Sequence, residues 1–160
     1  MTTVNPAFIM GPPLSGRGDS TSVNTIRTMV RGLMAAGAPD LSFGVVDVRD
    51  VARAHLVALA PEADGERLIT CQGTMSMLEM AATIDRAFPS SFRLPRRTLP
   101  KWLVWLFGPL QGAERSFVKH NVGHRLAFDN RRGKTLGIEY REPLDTLRDM
   151  VEGMRTHGLI

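Results

Sequence analysis

Residues 46–55 read VDVRDVARAH, and their reading decides the fold. Val46 and Val48 end a short β-branched stretch, Phe43 to Val48, which predicts a buried strand. Asp50 then stands where an N-cap is wanted, before a helix predicted over Val51 to Ala60 with Val51, Ala54, Leu56 and Leu59 on its apolar face. A strand running straight into a helix is the unit of an α/β protein. Upstream, Thr2 to Met10 is apolar on both faces and stopped by Gly11-Pro12-Pro13, which predicts a central parallel strand. After the loop LSGRGDS at 14–20, Ser22 can cap a helix from Val23 to about Met34, ended by Gly37-Ala38-Pro39.

Downstream, Glu66 to Cys71 predicts a third strand. Ser76 with Glu79 three residues on has capping-box spacing for a helix to about Ala87. Ser90 to Pro100 reads as irregular and basic. Leu99 to Leu110 reads as a short helix or lid broken at Gly108-Pro109, and Gln111 to His120 as another helix. Asp129 can cap a short helix over Asn130 to Leu136. Pro143 suits the first turn of a final helix lined by Leu144, Leu147, Met150, Val151 and Met154. The order is strand and helix in alternation, then mostly helices: an α/β chain with few short strands.

Composition narrows the function. The 160 residues are 43% hydrophobic and 22% charged, as in globular proteins. The one cysteine, Cys71, excludes an internal disulfide framework and a cysteine-based zinc site, and it fits a reducing compartment, so the cytoplasm is the expected location. No apolar run is long enough to span a bilayer. Ten Lys/Arg against two acids between Arg93 and Lys134 give that segment +8, within a chain of +4 overall. With Phe92, Trp102, Trp105, Phe107, Phe117 and Phe128 interleaved, it could hold a nucleic-acid strand or another anionic partner as a non-catalytic binding module. A solvated basic face over a core or lid is the simpler reading.

Gly11, Gly16 and Gly18 fit no dinucleotide loop, and no Walker-type run is present. His120 and His124 are four apart without a third ligand, and no metal site is expected. Ser15, Ser20 and Ser22 lack a nucleophile elbow. Asp47 and Asp50 flank Arg49, where a local ion pair and an N-cap account for them.

Three segments together are more specific: VNPAFIMGP at 4–12, VDVRDVARAH at 46–55 and EADGERLIT at 62–70. In order and spacing they resemble the C-terminal half of the extended short-chain dehydrogenase/reductase family, in its dihydroflavonol reductase-like and cinnamoyl-CoA reductase-like branch. Lys134-Thr135-Leu136-Gly137-Ile138 and the final helix match the family's closing segment. The resemblance implies the end of a Rossmann-like part over 1–60 and a substrate-binding, lid-bearing region over 61–160. It implies that Asn5, Pro6, Ala7 and Phe8 hold the nicotinamide and ribose of NAD or NADP, Pro6 baring the amides that follow it. Ser22 approaches the cofactor, while Met10, Gly11 and Pro12 line the substrate side under a lid from Pro95 to Val118. The implied reaction interconverts a small aldehyde or ketone and an alcohol; epimerisation or dehydration of a sugar nucleotide is the alternative.

The family's catalytic YxxxK pair has no counterpart here: the one tyrosine, Tyr140, is followed four residues later by Leu144. No catalytic residue is therefore assigned. Met1 falls just after the place where that pair stands in the family. A chain cut by its gene model, a split gene or design is expected, inactive alone and prone to associate through its exposed apolar strand.

Overall fold

The computed structural model describes residues 1–107 and 114–160. Its strands are β1 (Thr3–Pro6), β2 (Phe8–Met10), β3 (Ala38–Pro39), β4 (Ser42–Asp47), β5 (Arg67–Thr70), β6 (Gly73–Ser76) and β7 (Thr98–Leu99). Its helices are α1 (Thr21–Val30), α2 (Val48–Val57), α3 (Met77–Ala87), α4 (Lys101–Phe107), α5 (Arg115–Asn121), α6 (Arg131–Thr135) and α7 (Pro143–Thr156). The chain is α/β, as expected. No helix of the described residues is long and apolar enough to cross a membrane.

The expected first strand is two. β1 pairs in parallel with β5 (Asn5 opposite Ile69), and β2 pairs in parallel with β4 (Phe8 opposite Val45). Between them the Ala7 N–H donates to the Thr70 carbonyl oxygen at 3.0 Å, ending the β1 ladder, and the chain then changes partners. Neither piece is a central strand buried on both faces: Thr3 and Pro6 are exposed, and Met10 is the one buried residue of β2. β4 takes β6 on its other side, antiparallel, giving the order β2-β4-β6. β6 was not foreseen. Its four residues, GTMS, open on Gly73 and alternate too briefly to announce a strand. β3 and β7 form a third, two-residue ladder inside segments read as loop.

The main core lies where α1, α3 and α7 pack on β2-β4-β6. Ile26 and Met29 come from α1, Met80 and Ile84 from α3, and Leu147, Met150, Val151 and Met154 from α7, all essentially inaccessible. The predicted α7 stripe holds apart from Leu144, which is 37% exposed. The Ser76–Glu79 capping box is present in both directions, and α3 runs to Ala87 as its spacing predicted. A smaller cluster of Ala54, Leu68 and Ile138 with Val4, Val57 and Tyr140 lies between α2, α6 and the β1-β5 pair.

Two caps differ from the reading. α1 starts two residues early, with Ser20 at the N-cap position; Ser22 lies inside the first turn, 3.0 Å from the Ser20 hydroxyl, and caps nothing. α2 is capped by Asp47, whose Oδ1 accepts the Arg49 N–H at 2.8 Å, and not by Asp50. The helix begins three residues sooner than predicted. That turns Asp50 inward and leaves Leu56 and Leu59 exposed, while Val51 and Ala54 stay buried.

Both aspartates are then buried charges, and each is fully partnered. Arg49 straddles Asp47 (Nη2 to Oδ2, 2.7 Å) and Asp149 of α7 (2.8 Å), and the Thr146 hydroxyl donates to Asp47 Oδ2 at 2.9 Å. Asp50 accepts the Arg141 N–H at 2.8 Å and pairs with the Arg141 guanidinium. Burial alone would raise the Asp47 carboxyl. The bonds from the Arg49 side chain and backbone and from Thr146 outweigh it and hold the group below the usual carboxylate range.

Its stabilising contribution is therefore complete above the unfolded carboxylate value of about 4 and is lost as the pH falls through the lower folded value. Thr146→Val should cost roughly 1.5–3 kcal/mol in urea melts at pH 7, because it removes a hydrogen bond to a buried charge. The loss should shrink once the pH falls below the usual carboxylate range and Asp47 protonates. A deficit that stays constant from pH 7 to pH 2 would contradict this account.

Candidate functional site

Asn5, Pro6, Ala7 and Phe8, four of the five residues that the resemblance assigns to the cofactor, stand at the break between β1 and β2. Pro6 has no N–H, and the Ala7 N–H is already used by the Thr70 carbonyl. The first amide after Pro6 is thus engaged within the sheet; what the break can offer a ligand at Pro6 itself is a carbonyl acceptor. Asn5, half-buried in β1, makes no side-chain hydrogen bond among the described residues, and its Nδ2 is out of contact with water and unpaired. An orphaned buried donor is rare in folded proteins.

Phe8, one residue beyond the break, stacks on Phe43 with ring centroids 4.8 Å apart. Phe43 in turn lines a 130 Å³ cavity with Leu41, Phe117, His120, His124 and Leu126, between the start of β4 and α5. Phe43 therefore joins the Phe8 ring at the strand break to a cavity beside the region expected to form the lid, and both rings pack against the main core.

The three residues assigned to the substrate side are packed. Met10 is 2% exposed and belongs to the core. Gly11 has φ of +129°, and a Cβ there would come within 2.9 Å of Val48 Cγ1 and 3.4 Å of Asp47 Oδ1. Pro12 lies against Gly153 of α7 and keeps partial exposure. Ser22 is half-buried at the start of α1.

Of the expected lid, 95–107 and 114–118 are described. α4 and α5 pack on each other. Lys101 Nζ donates to the carbonyls of Lys119 (2.8 Å) and Val122 (2.9 Å), closing the end of α5, and the Arg115 guanidinium lies 4.7 Å over Trp105. Trp102, Trp105 and Leu106 are exposed, and Phe117 is 43% exposed. The part of the lid reading on 108–113, including the Gly108-Pro109 break, lies outside the described residues.

Phe128 covers β4 from the other side. A Cβ at Gly44 would sit 2.5 Å from the Phe128 ring and 3.0 Å from Cys71 Sγ, a contact only glycine permits. Cys71 is buried, and its burial raises the thiol above its ordinary value, so it behaves as core.

Tyr140 and Lys134 share a cleft with Gln72 and Glu142, which invites comparison with a tyrosine–lysine pair. The Tyr140 hydroxyl, however, is buried and unpartnered beside Gly133, and burial pushes its pKa up. It is poorly placed to exchange a proton with a ligand. Among the described residues no group of three His, Cys, Asp or Glu could hold a metal ion.

The basic segment is largely engaged. Arg125 pairs with Glu79, Arg131 with Asp129 and Arg132 with Glu66, while Arg97 and Lys101 bond backbone carbonyls. The acids at 66 and 79 lie outside the +8 stretch, which is why its charge looked uncompensated in sequence.

Gly44→Ala should displace Phe128 and lower the melting temperature by several degrees, with a gain in accessibility of Cys71 to a thiol reagent. Unchanged Cys71 labelling would show that Phe128 does not seal this face.

No protein-family model matches the chain. Among curated proteins it is 36% identical over 164 residues to the ketoreductase azaE of Aspergillus niger, covering 96% of this chain and 43% of that protein. It is 29% identical over 154 residues to the NADPH-dependent methylglyoxal reductase of Saccharomyces cerevisiae, covering 93% of this chain and 41% of that protein. Among solved structures, the alfalfa (Medicago sativa) vestitone reductase superposes with a TM-score of 0.71 at 17% identity, over 99% of this chain and 45% of that one. The yeast methylglyoxal/isovaleraldehyde reductase, solved with NADPH, superposes with a TM-score of 0.63 at 23% identity, over 98% and 47%. The chain thus spans less than half the length of the proteins it matches. These matches show that the chain is homologous to part of reductases of the extended short-chain dehydrogenase/reductase superfamily.

Proposed function

We propose that this chain is the substrate-side part of an NAD(P)H-dependent carbonyl reductase acting on a small aldehyde or ketone. The observation that carries the reading is the strand break at Pro6–Ala7, with its free acceptor and the unpaired Asn5 carboxamide beside it, in a chain whose relatives are carbonyl reductases. When bound, the reduced nicotinamide supplies a hydride to the carbonyl carbon.

The chain's own residues bind and orient. The Pro6 carbonyl accepts from the nicotinamide carboxamide, and Phe8 presents an apolar edge to the ring. The Phe8–Phe43 stack continues into the cavity wall at Phe117 and excludes water from the substrate side. Residues 1–60 then contribute the end of the dinucleotide-binding part, and 61–160 the substrate region with α4 and α5 as its cover. The proton for the nascent alkoxide has to come from a tyrosine held by a lysine in YxxxK spacing, which these 160 residues do not contain.

The purified chain should show no NADPH oxidation with methylglyoxal or isovaleraldehyde. Addition of a segment bearing GxxGxxG and YxxxK should restore it. In the reconstituted enzyme Phe8→Ala should raise the KM for the carbonyl about tenfold, with a smaller effect on kcat. NADPH oxidation by the chain alone, lost in Tyr140→Phe, would overturn the assignment, as would a reconstituted pair that binds no NADPH.

A further inference from the structure

Both tryptophans of the chain, Trp102 and Trp105, stand on α4, and both face solvent. At about 100° per residue, Lys101, Trp105, Trp102 and Leu106 fall on one continuous arc of that helix, and all four are exposed. Leu103 and Val104, on the other side, are half-buried. A surface helix ordinarily turns its polar residues outward. α4 instead presents two indoles, 65% and 45% exposed, and the Leu106 side chain. α5 packs on α4 and extends the patch with Phe117, which shares a cavity with the exposed Leu126.

The charge around this patch is of one sign. The Arg115 guanidinium lies over Trp105, and Lys119 is exposed about one turn further along α5. Neither is ion-paired with an acid of the described residues. The acid nearest in sequence, Glu114, stands at the N-cap position of α5 and accepts from the Ser116 hydroxyl at 3.2 Å. Arg115 and Lys119 thus differ from Arg125, Arg131 and Arg132 of the same basic segment, which acids neutralise.

We propose that the outer face of α4 and α5 docks on the surface of an anionic membrane. Trp102, Trp105, Leu106 and Phe117 enter the interface at headgroup level, and Arg115 and Lys119 meet the anionic headgroups. The contact lies on the bilayer and does not cross it, since α4 has seven residues. A second copy of the chain fits this face less well. A two-fold axis would set each patch against itself and bring Arg115 and Lys119 against their own copies. A single nucleic-acid strand needs open rings to stack on and cations to follow its phosphates. Arg115 already covers one face of Trp105, and Arg125, Arg131 and Arg132 are spent on acids. Lipid contact of this kind requires no bound nicotinamide, so it stands or falls apart from the reductase reading.

Because the chain has two tryptophans and both are on α4, indole emission reads this face alone. The purified 160-residue chain, checked for folding by circular dichroism, is titrated with phosphatidylcholine–phosphatidylserine vesicles at about 7:3 and with phosphatidylcholine alone. The emission should shift to the blue on the mixed vesicles. Binding to phosphatidylcholine alone should be about tenfold weaker or more, and added salt should close the gap. Lys119→Gln should weaken binding about fivefold. Trp102→Gln should weaken it by about as much or more, with Trp105 left as the reporter. Leu59→Gln, at an 81% exposed side chain just past α2, should change nothing. All three sites are exposed, so the melting temperature should hold in each variant.

Several results would overturn the proposal. They are a folded chain that binds neither vesicle; equal binding to both vesicles; a loss in Leu59→Gln as large as in Trp102→Gln, which marks unspecific adsorption; a dimer whose indoles are already blue-shifted without lipid, which makes the second copy the occupant; and tighter binding to a single-stranded oligonucleotide than to the mixed vesicles. Should Trp102→Gln lower the melting temperature, the unsubstituted chain is titrated with mixed vesicles carrying brominated acyl chains. Quenched indole emission then supports the docking face, and unquenched emission from bound chain refutes it.

Discussion

A carboxylate taken out of water at the end of β4 organises the rest of this molecule. Asp47 is 2% exposed, and a buried charge is tolerable only when its partners are complete. Completing them draws in two helices. The first turn of α2 supplies the Arg49 N–H, the Arg49 side chain reaches across to Asp149 of α7, and Thr146 adds a hydroxyl. β2 must also end against this group, because Gly11 turns with positive φ where a side chain would strike Val48 and Asp47. The position of the strand break at Pro6–Ala7, five residues back along the same chain, is set by that packing together with the pairing of β2 to β4.

Constraint is unevenly spread as a result. The side of the molecule built on β2-β4-β6 has three helices over it and a core of methionine, leucine and isoleucine without voids marked by orphaned polar atoms. The β1-β5 side has a small cluster beneath it. All three buried polar atoms that lack a partner in the described residues lie here or at its margin: Asn5 Nδ2 on β1, Thr70 Oγ1 on β5 and the Tyr140 hydroxyl packed on that cluster. Folded proteins rarely leave such groups unpaired, so their concentration on one side marks where the chain's own contacts run short. The same side carries the residues that the resemblance assigns to a cofactor.

What could be read from sequence was what is local. The α3 capping box needs only Ser76 and Glu79, three residues apart, and it formed as read. The choice between Asp47 and Asp50 as the cap of α2 is different. Either spacing suits a helix start, and the decision comes from Arg141, 91 residues beyond Asp50, and from Thr146, 99 beyond Asp47. The split of the first strand is likewise settled by partners at 45–47 and 67–70, since nothing within VNPAFIMGP signals a change of neighbour. The +8 segment looked unpaired because Glu66 and Glu79, which neutralise Arg132 and Arg125, stand outside it. The Phe8–Phe43 stack was legible only as two aromatics; that they meet follows from register, not from spacing.

The candidate site rests largely on backbone and on packed apolar groups, and this explains why its residues were nameable by motif and yet not by chemistry. A carbonyl at Pro6 is a feature of strand geometry: any residue carries one, and what matters is that proline gives up the outward N–H while Ala7 spends its own on Thr70. Side-chain chemistry enters at Asn5 and Phe8 alone, and in both cases its direction is set by which face of a two-residue-period strand the position occupies. Moving the pairing of β1 on β5 by one residue would turn Asn5 toward α2 and Val4 toward the opposite side. The register that packs the half-buried Val4 and the buried Leu68 against Ala54 is therefore the same constraint that holds the carboxamide of Asn5 on the opposite face.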